Sequence, residues 1–161
     1  MDDERPQVLA PDGNPRATHQ LPPPEMSEGE FVSRFRAVTA GPHGQRGQLP
    51  GGMVDCWQAV VDACLAGYDD SLEEYDADLG VRRLLEAVLN HPELQRYREL
   101  SWVREQVAES DRRFRAMLRD DPIPHLAHWP WWESHPPRYA GPELAADFQA
   151  RYGIHVQVRE T

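Results

Sequence analysis

The chain has 161 residues, 27 acidic and 17 basic, with a formal net charge of -10. That length suits one domain of ordinary size, and the negative balance disfavours nucleic acid and anionic membrane surfaces as partners. Every basic residue is an arginine, which excludes chemistry needing a lysine nucleophile or Schiff base.

The opening residues, MDDERPQVLAPDG, lack the basic start and apolar centre of a secretory signal, and no window nears the roughly 18 consecutive apolar residues of a membrane span. A cytoplasmic protein is expected. Residues 1–26 carry Pro6, Pro11, Pro15 and the run Pro22 to Pro24 among few apolar side chains, the composition of a disordered proline-rich leader. Residues 27–52 read as a short helix followed by a Gly-rich linker. Ser27 and Glu30 have capping-box spacing, and Phe31, Phe35 and Val38 recur at helical intervals over about 28–39. GPHGQRGQLPGG, residues 41–52, then predicts a flexible tether that leaves this helix loosely attached.

A compact, mainly α-helical domain with a short C-terminal strand is expected over 53–161. Asp55 is the expected N-cap of its first helix, with Trp57, Val60, Val61, Cys64 and Leu65 on one face and Gly67 as the stop. Cys56 and Cys64 share that helix about 12 Å apart, too far to bridge, and read as packed small hydrophobes in a reducing compartment. Asp78 is the expected cap of the next helix, whose stripe is Val81, Leu84, Leu85, Val88 and Leu89, ending before Pro92. Pro92 opens a short turn, and Ser101 begins a longer helix with Val103, Val107, Ser110, Phe114, Met117 and Leu118 inward. Arg82 and Asp111 each interrupt an apolar neighbourhood, so an ion pair between these two helices is expected.

After the proline-rich stretch 122–137, Gly141 and Pro142 begin a final helix with Leu144, Phe148 and Tyr152 on one side and Gly153 at its end. Ile154, Val156 and Val158 alternate as in a half-buried strand. Such a strand needs a partner, either an unrecognised segment, with Val8 and Leu9 as candidates, or another copy of the chain in a homo-oligomer. The sequence shows no internal repeat.

Two stretches carry the functional expectations. HLAHWPWWESHPPRY, His125 to Tyr139, holds three of the five tryptophans and three of the seven histidines. One reading is structural: Trp129, Trp131 and Trp132 close the end of the helical core, each able to remove roughly 150–250 Å² from water. A second is partner contact through the same indoles with Arg138 and Tyr139, since tryptophan and arginine are enriched at interface hot spots. The rival is a zinc or iron enzyme, with His125, His128 and His135 as ligands and Glu133 or Asp121 as base. No HExxH or Cys-His framework accompanies those residues.

The other stretch, DDSLEEYDAD, residues 69–78, has six carboxylates and no positive charge. It lacks the EF-hand order of ligands, so calcium is not expected. It reads as a solvated loop, neutralised within the fold by Arg112, Arg115 and Arg119, or as an anionic surface built from Asp69, Asp70, Glu73, Glu74 and Asp76 that attracts a basic protein. Ser101, Ser110 and Ser134 lie in no nucleophile elbow, and the glycines of 41–52 form no phosphate-binding loop. The expected function is a small acidic cytosolic binding protein, needing no cofactor, that neutralises or regulates a basic partner as an immunity protein does a toxin domain.

Overall fold

A computed structural model describes residues 29–42 and 46–159; the leader, residues 1–26, lies outside them, as do Val8 and Leu9. The described chain is mainly helical, in the order α1 (Glu30–Thr39), α2 (Pro50–Gly67), α3 (Leu72–Leu89), a 3-10 turn (Pro92–Leu94), α4 (Glu99–Met117), a second 3-10 turn (Pro124–Leu126), α5 (Trp131–Ser134), β1 (Tyr139–Ala140), α6 (Pro142–Tyr152) and β2 (Gln157–Val158). None of these helices is long and apolar enough to cross a membrane.

The core grows from the apolar stripes. α2 packs chiefly on α4, with Trp57 edge-on to Phe114 at 5.3 Å, and α3 lies against both. On α4, Val103, Val107, Ser110, Phe114 and Met117 are all buried, followed by Leu118, so the expected inward face is the observed one.

Helix starts depart from expectation. α2 begins at Pro50, and Asp55 lies inside it on the exposed side. Proline at the first helical position sacrifices only an amide that has no helical acceptor, and burial of Met53 and Val54 offsets the roughly 1 kcal/mol that each of Gly51 and Gly52 costs. α3 begins at Leu72, not after Asp78. Ser71 Oγ accepts from the Glu74 amide at 3.2 Å, and Asp147 Oδ2, from α6, accepts from the Leu72 amide at 2.9 Å. Asp78 instead accepts from the Tyr68 hydroxyl at 2.7 Å, tying the end of α2 to α3. The carboxylate stretch is therefore largely the first turns of a helix, where Glu73 and Glu74 complement the macrodipole.

α1 is not loosely attached. Phe31, Val32 and Phe35 belong to the common buried cluster, and Phe31 meets Tyr97 at 5.6 Å. Its connection is also held down: the Gln48 amide donates to Thr39 Oγ1 at 2.7 Å, and a Cβ on Gly47 would fall 1.7 Å from the Arg36 carbonyl oxygen. Only glycine permits that approach.

The strand partner is internal. β2 pairs in parallel with β1, Tyr139 opposite Gln157 and Ala140 opposite Val158. Val156 is buried, whereas Val158 is exposed, so the alternation does not carry through to the strand's end. α6 ends at Gly153, whose φ of 65° is the left-handed cap conformation.

Candidate functional site

The 122–137 segment is closed on itself by the Ile123 N–H to Ser134 O bond at 2.7 Å, and the chain around it is fastened to the end of α4 by Arg119 N–H to Pro136 O and Arg138 N–H to Met117 O, both at 2.9 Å. This frame divides the tryptophans. Trp132 is buried at 5 % exposure, Trp131 is half-buried against Phe114, and Trp129 stands 47 % exposed. Two indoles thus close the core, as the structural expectation had it for all three, and the third faces out.

Beneath the closing indoles is the ion pair expected from the sequence. Arg82, 5 % exposed, donates from Nε to Asp111 Oδ1 at 2.9 Å and from Nη2 to Asp111 Oδ2 at 3.0 Å, the bidentate fork that arginine makes with a carboxylate. Trp57 Nε1 donates to Asp111 Oδ1 at 3.0 Å, and Arg82 Nη1 donates to Glu86 Oε2 at 2.9 Å. Burial works against the Arg82 charge, but the hydrogen bonds of Asp111 and Glu86 outweigh it and raise its pKa. The guanidinium also lies 4.4 Å from the Trp132 ring centroid, so one arginine joins α3, α4 and the tryptophan loop.

In front of this network is a cleft of about 260 Å³. α3 supplies Asp76 and Arg83, two turns apart on one face; the tryptophan segment supplies Trp129, Leu126 and Glu133; α6 supplies Arg151 and Tyr152. Arg83 is ion-paired with Glu133, its Nε donating to Oε1 at 2.9 Å. Asp76 has no ion pair among the described residues. Partial desolvation in the cleft raises its pKa, with Glu133 adding to that and Arg151 and Arg83 opposing it.

Of the carboxylate stretch only Asp76 lines the cleft; Asp69, Asp70, Glu73 and Glu74, just before and within the first turn of α3, are exposed. Asp70 Oδ1 accepts from the Ser71 amide at 2.7 Å and Asp69 Oδ1 from the Glu143 amide at 3.4 Å. The arginines expected to neutralise them lie elsewhere. Arg112 pairs with Glu109, Arg115 covers Trp131 at 4.1 Å, and Arg119 donates to His155 O at 2.8 Å. The acidic surface thus has no internal counter-charge from α4.

Other expected site residues fall apart from the cleft. Arg138 pairs with Asp120 and lines a separate depression with Arg119 and Asp121. Tyr139 donates to Leu65 O at 2.8 Å beneath the Arg159 guanidinium. His125 and His128 are exposed, and His135 Nδ1 is engaged by Ser134 Oγ at 2.9 Å and Trp131 O at 3.1 Å. Among the described residues no three His, Cys, Asp or Glu side chains are grouped to hold a metal ion, so the expected histidine triad is not assembled. Glu133, a candidate base in that reading, is the partner of Arg83. Of the two cysteines expected to be packed, Cys64 is buried, its thiol pKa pushed up to about 12 by desolvation and then by Asp78, whereas Cys56 departs from expectation and is exposed.

Sequence reasoning missed Arg83, Leu126, Arg151 and Tyr152 as neighbours of Asp76 and Trp129. The seven-residue spacing of Asp76 and Arg83 was the one local signal; the approach of α6 to α3 leaves none. The chain matches no protein-family model, no curated protein and no solved structure.

Proposed function

We propose that this chain is an acidic, noncatalytic binding protein that neutralises or regulates a basic protein partner, in the manner of an immunity protein acting on a toxin domain. One observation carries the reading: the carboxylate stretch and the tryptophan loop, distant in sequence, share a cleft at Asp76 and Trp129. The exposed carboxylates supply long-range attraction and orientation, while an exposed indole supplies the short-range anchor that surface charge alone does not. Action in the cytoplasm belongs to the same proposal and accords with two unpaired cysteines.

The test is affinity capture from native lysate at low and moderate salt, with the native chain and with a variant carrying Asp69→Asn, Asp70→Asn, Glu73→Gln and Glu74→Gln. Circular dichroism of the variant checks that α3 survives loss of its favourable first-turn charges. Retention of one basic protein by the native chain, weaker at higher salt and lost in the variant, is the expected result. Equal retention by both proteins rejects the electrostatic mechanism.

A further inference from the structure

The tryptophan loop uses one mode of contact repeatedly. Arg82 lies over Trp132 at 4.4 Å and Arg115 over Trp131 at 4.1 Å. The Arg82 arrangement is complete, because the guanidinium that rests on the indole is also held by the Asp111 carboxylate. Trp129, the third indole and the most exposed, has no guanidinium over it among the described residues, although it shares its cleft with the carboxylate of Asp76. Arg83 and Arg151 line the same cleft, but Arg83 pairs with Glu133, Arg151 lies towards Tyr152, and neither guanidinium covers the Trp129 ring or pairs with Asp76 among the described residues.

We infer that the cleft is a receptor for one arginine side chain of the partner protein, its guanidinium stacking on Trp129 and pairing with Asp76. This rests on the reading of the chain as a binder of a basic protein and names what that partner inserts. The size agrees: about 260 Å³ falls below the roughly 300–1,000 Å³ of pockets that take drug-sized molecules, and fits a single side chain. Charge agrees as well. Glu133 already answers Arg83, and Arg151, exposed with its guanidinium 6.0 Å from the Tyr152 ring centroid, acts on Asp76 through space but makes no ion pair with it among the described residues. That leaves Asp76, an exposed carboxylate of the cleft lining, as the acidic group there without an ion pair among the described residues and open to an incoming cation. Arginine fits better than lysine because a planar, weakly hydrated guanidinium can lie flat on an indole while its edge donates to a carboxylate, and a compact ammonium cannot do both.

The inference is tested by nuclear magnetic resonance of the ¹⁵N-labelled chain, following the five tryptophan indole N–H signals. The probes are acetyl-Gly-Arg-Gly-amide, its lysine analogue and its uncharged citrulline analogue. The arginine peptide is expected to shift the Trp129 signal, assigned by its loss in Trp129→Ala, with a dissociation constant of order millimolar, as suits one stacked ion pair. Lysine is expected to bind several-fold more weakly, citrulline not measurably, and Asp76→Asn is expected to weaken arginine about tenfold. The four remaining indole signals report that each variant is folded. Equal binding of citrulline and arginine, no effect of Asp76→Asn, or no shift of Trp129 up to about 50 mM peptide overturns the inference. If the peptide fails while capture of a basic protein still depends on Asp69, Asp70, Glu73 and Glu74, the arginine receptor is wrong and the acidic-face reading stands. If the peptide binds as expected but capture is indifferent to those four carboxylates, the receptor stands and the acidic-face mechanism is wrong.

Discussion

Asp76 is an exposed carboxylate whose neighbours in the cleft disfavour its charge. Its pKa in the folded chain lies above the ordinary 3.8 because partial desolvation, with help from Glu133, outweighs Arg151 and Arg83. The native state therefore holds the proton more tightly than the unfolded chain. As pH rises from the unfolded value through the raised folded one, stability falls, and the full penalty is present at neutral pH. Asp76→Asn is accordingly expected to raise the thermal midpoint at pH 7, with the gain shrinking as pH falls towards about 4. A lower midpoint at pH 7 would mean that the carboxylate already has a favourable partner. Arg82 and Asp111 are the opposite case, a buried arginine and a half-buried aspartate that satisfy one another. Alanine at either position leaves a charge without its partner and is expected to cost about 3 kcal/mol. The double variant is expected to cost much less than the sum, as chemical denaturation of all four proteins would reveal; additive losses would show the two residues to be independent.

At the scale of elements, what local pattern encodes was legible and what distant segments supply was not. The inward face of α4, the left-handed end of α6 and the Arg82 to Asp111 link were all readable, because apolar spacing and polar interruptions survive in one dimension. Helix starts were not. Asp55 and Asp78 looked like caps since aspartate favours that role, yet Pro50 begins α2, and α3 is capped by Ser71 together with an aspartate from another helix. Glycine at 47 suggested a loose tether, whereas it marks a close approach to the Arg36 backbone. Asp147 offers a direct check on the long-range cap. Asp147→Ala is expected to destabilise the protein by about 1 kcal/mol and to increase hydrogen exchange of the Leu72 amide. Unchanged exchange at that amide would mean that the Asp147 hydrogen bond does not protect it.

For the molecule as a whole, the net charge of -10 was evident from composition, but its distribution depends on the fold. Arg115 and Arg82 are occupied with tryptophans, and Arg112 and Arg119 with partners elsewhere, which leaves the start of α3 negative. Of the candidate site, Asp76, Trp129 and Glu133 were visible as residue types worth attention; their shared cleft was not, because its walls come from three separate stretches of chain. At physiological ionic strength charges act over about 8 Å, so an attraction centred on α3 orients a partner only once it is close. The hydrogen bond from the Leu72 amide to Asp147 adds a constraint of timing. During synthesis, residues 69–76 leave the ribosome long before α6 does, so the amide that begins α3 lacks its acceptor and one wall of the cleft is absent. The cleft that the proposed binding role needs is therefore complete only after residue 152 has emerged, so a half-made chain would lack it.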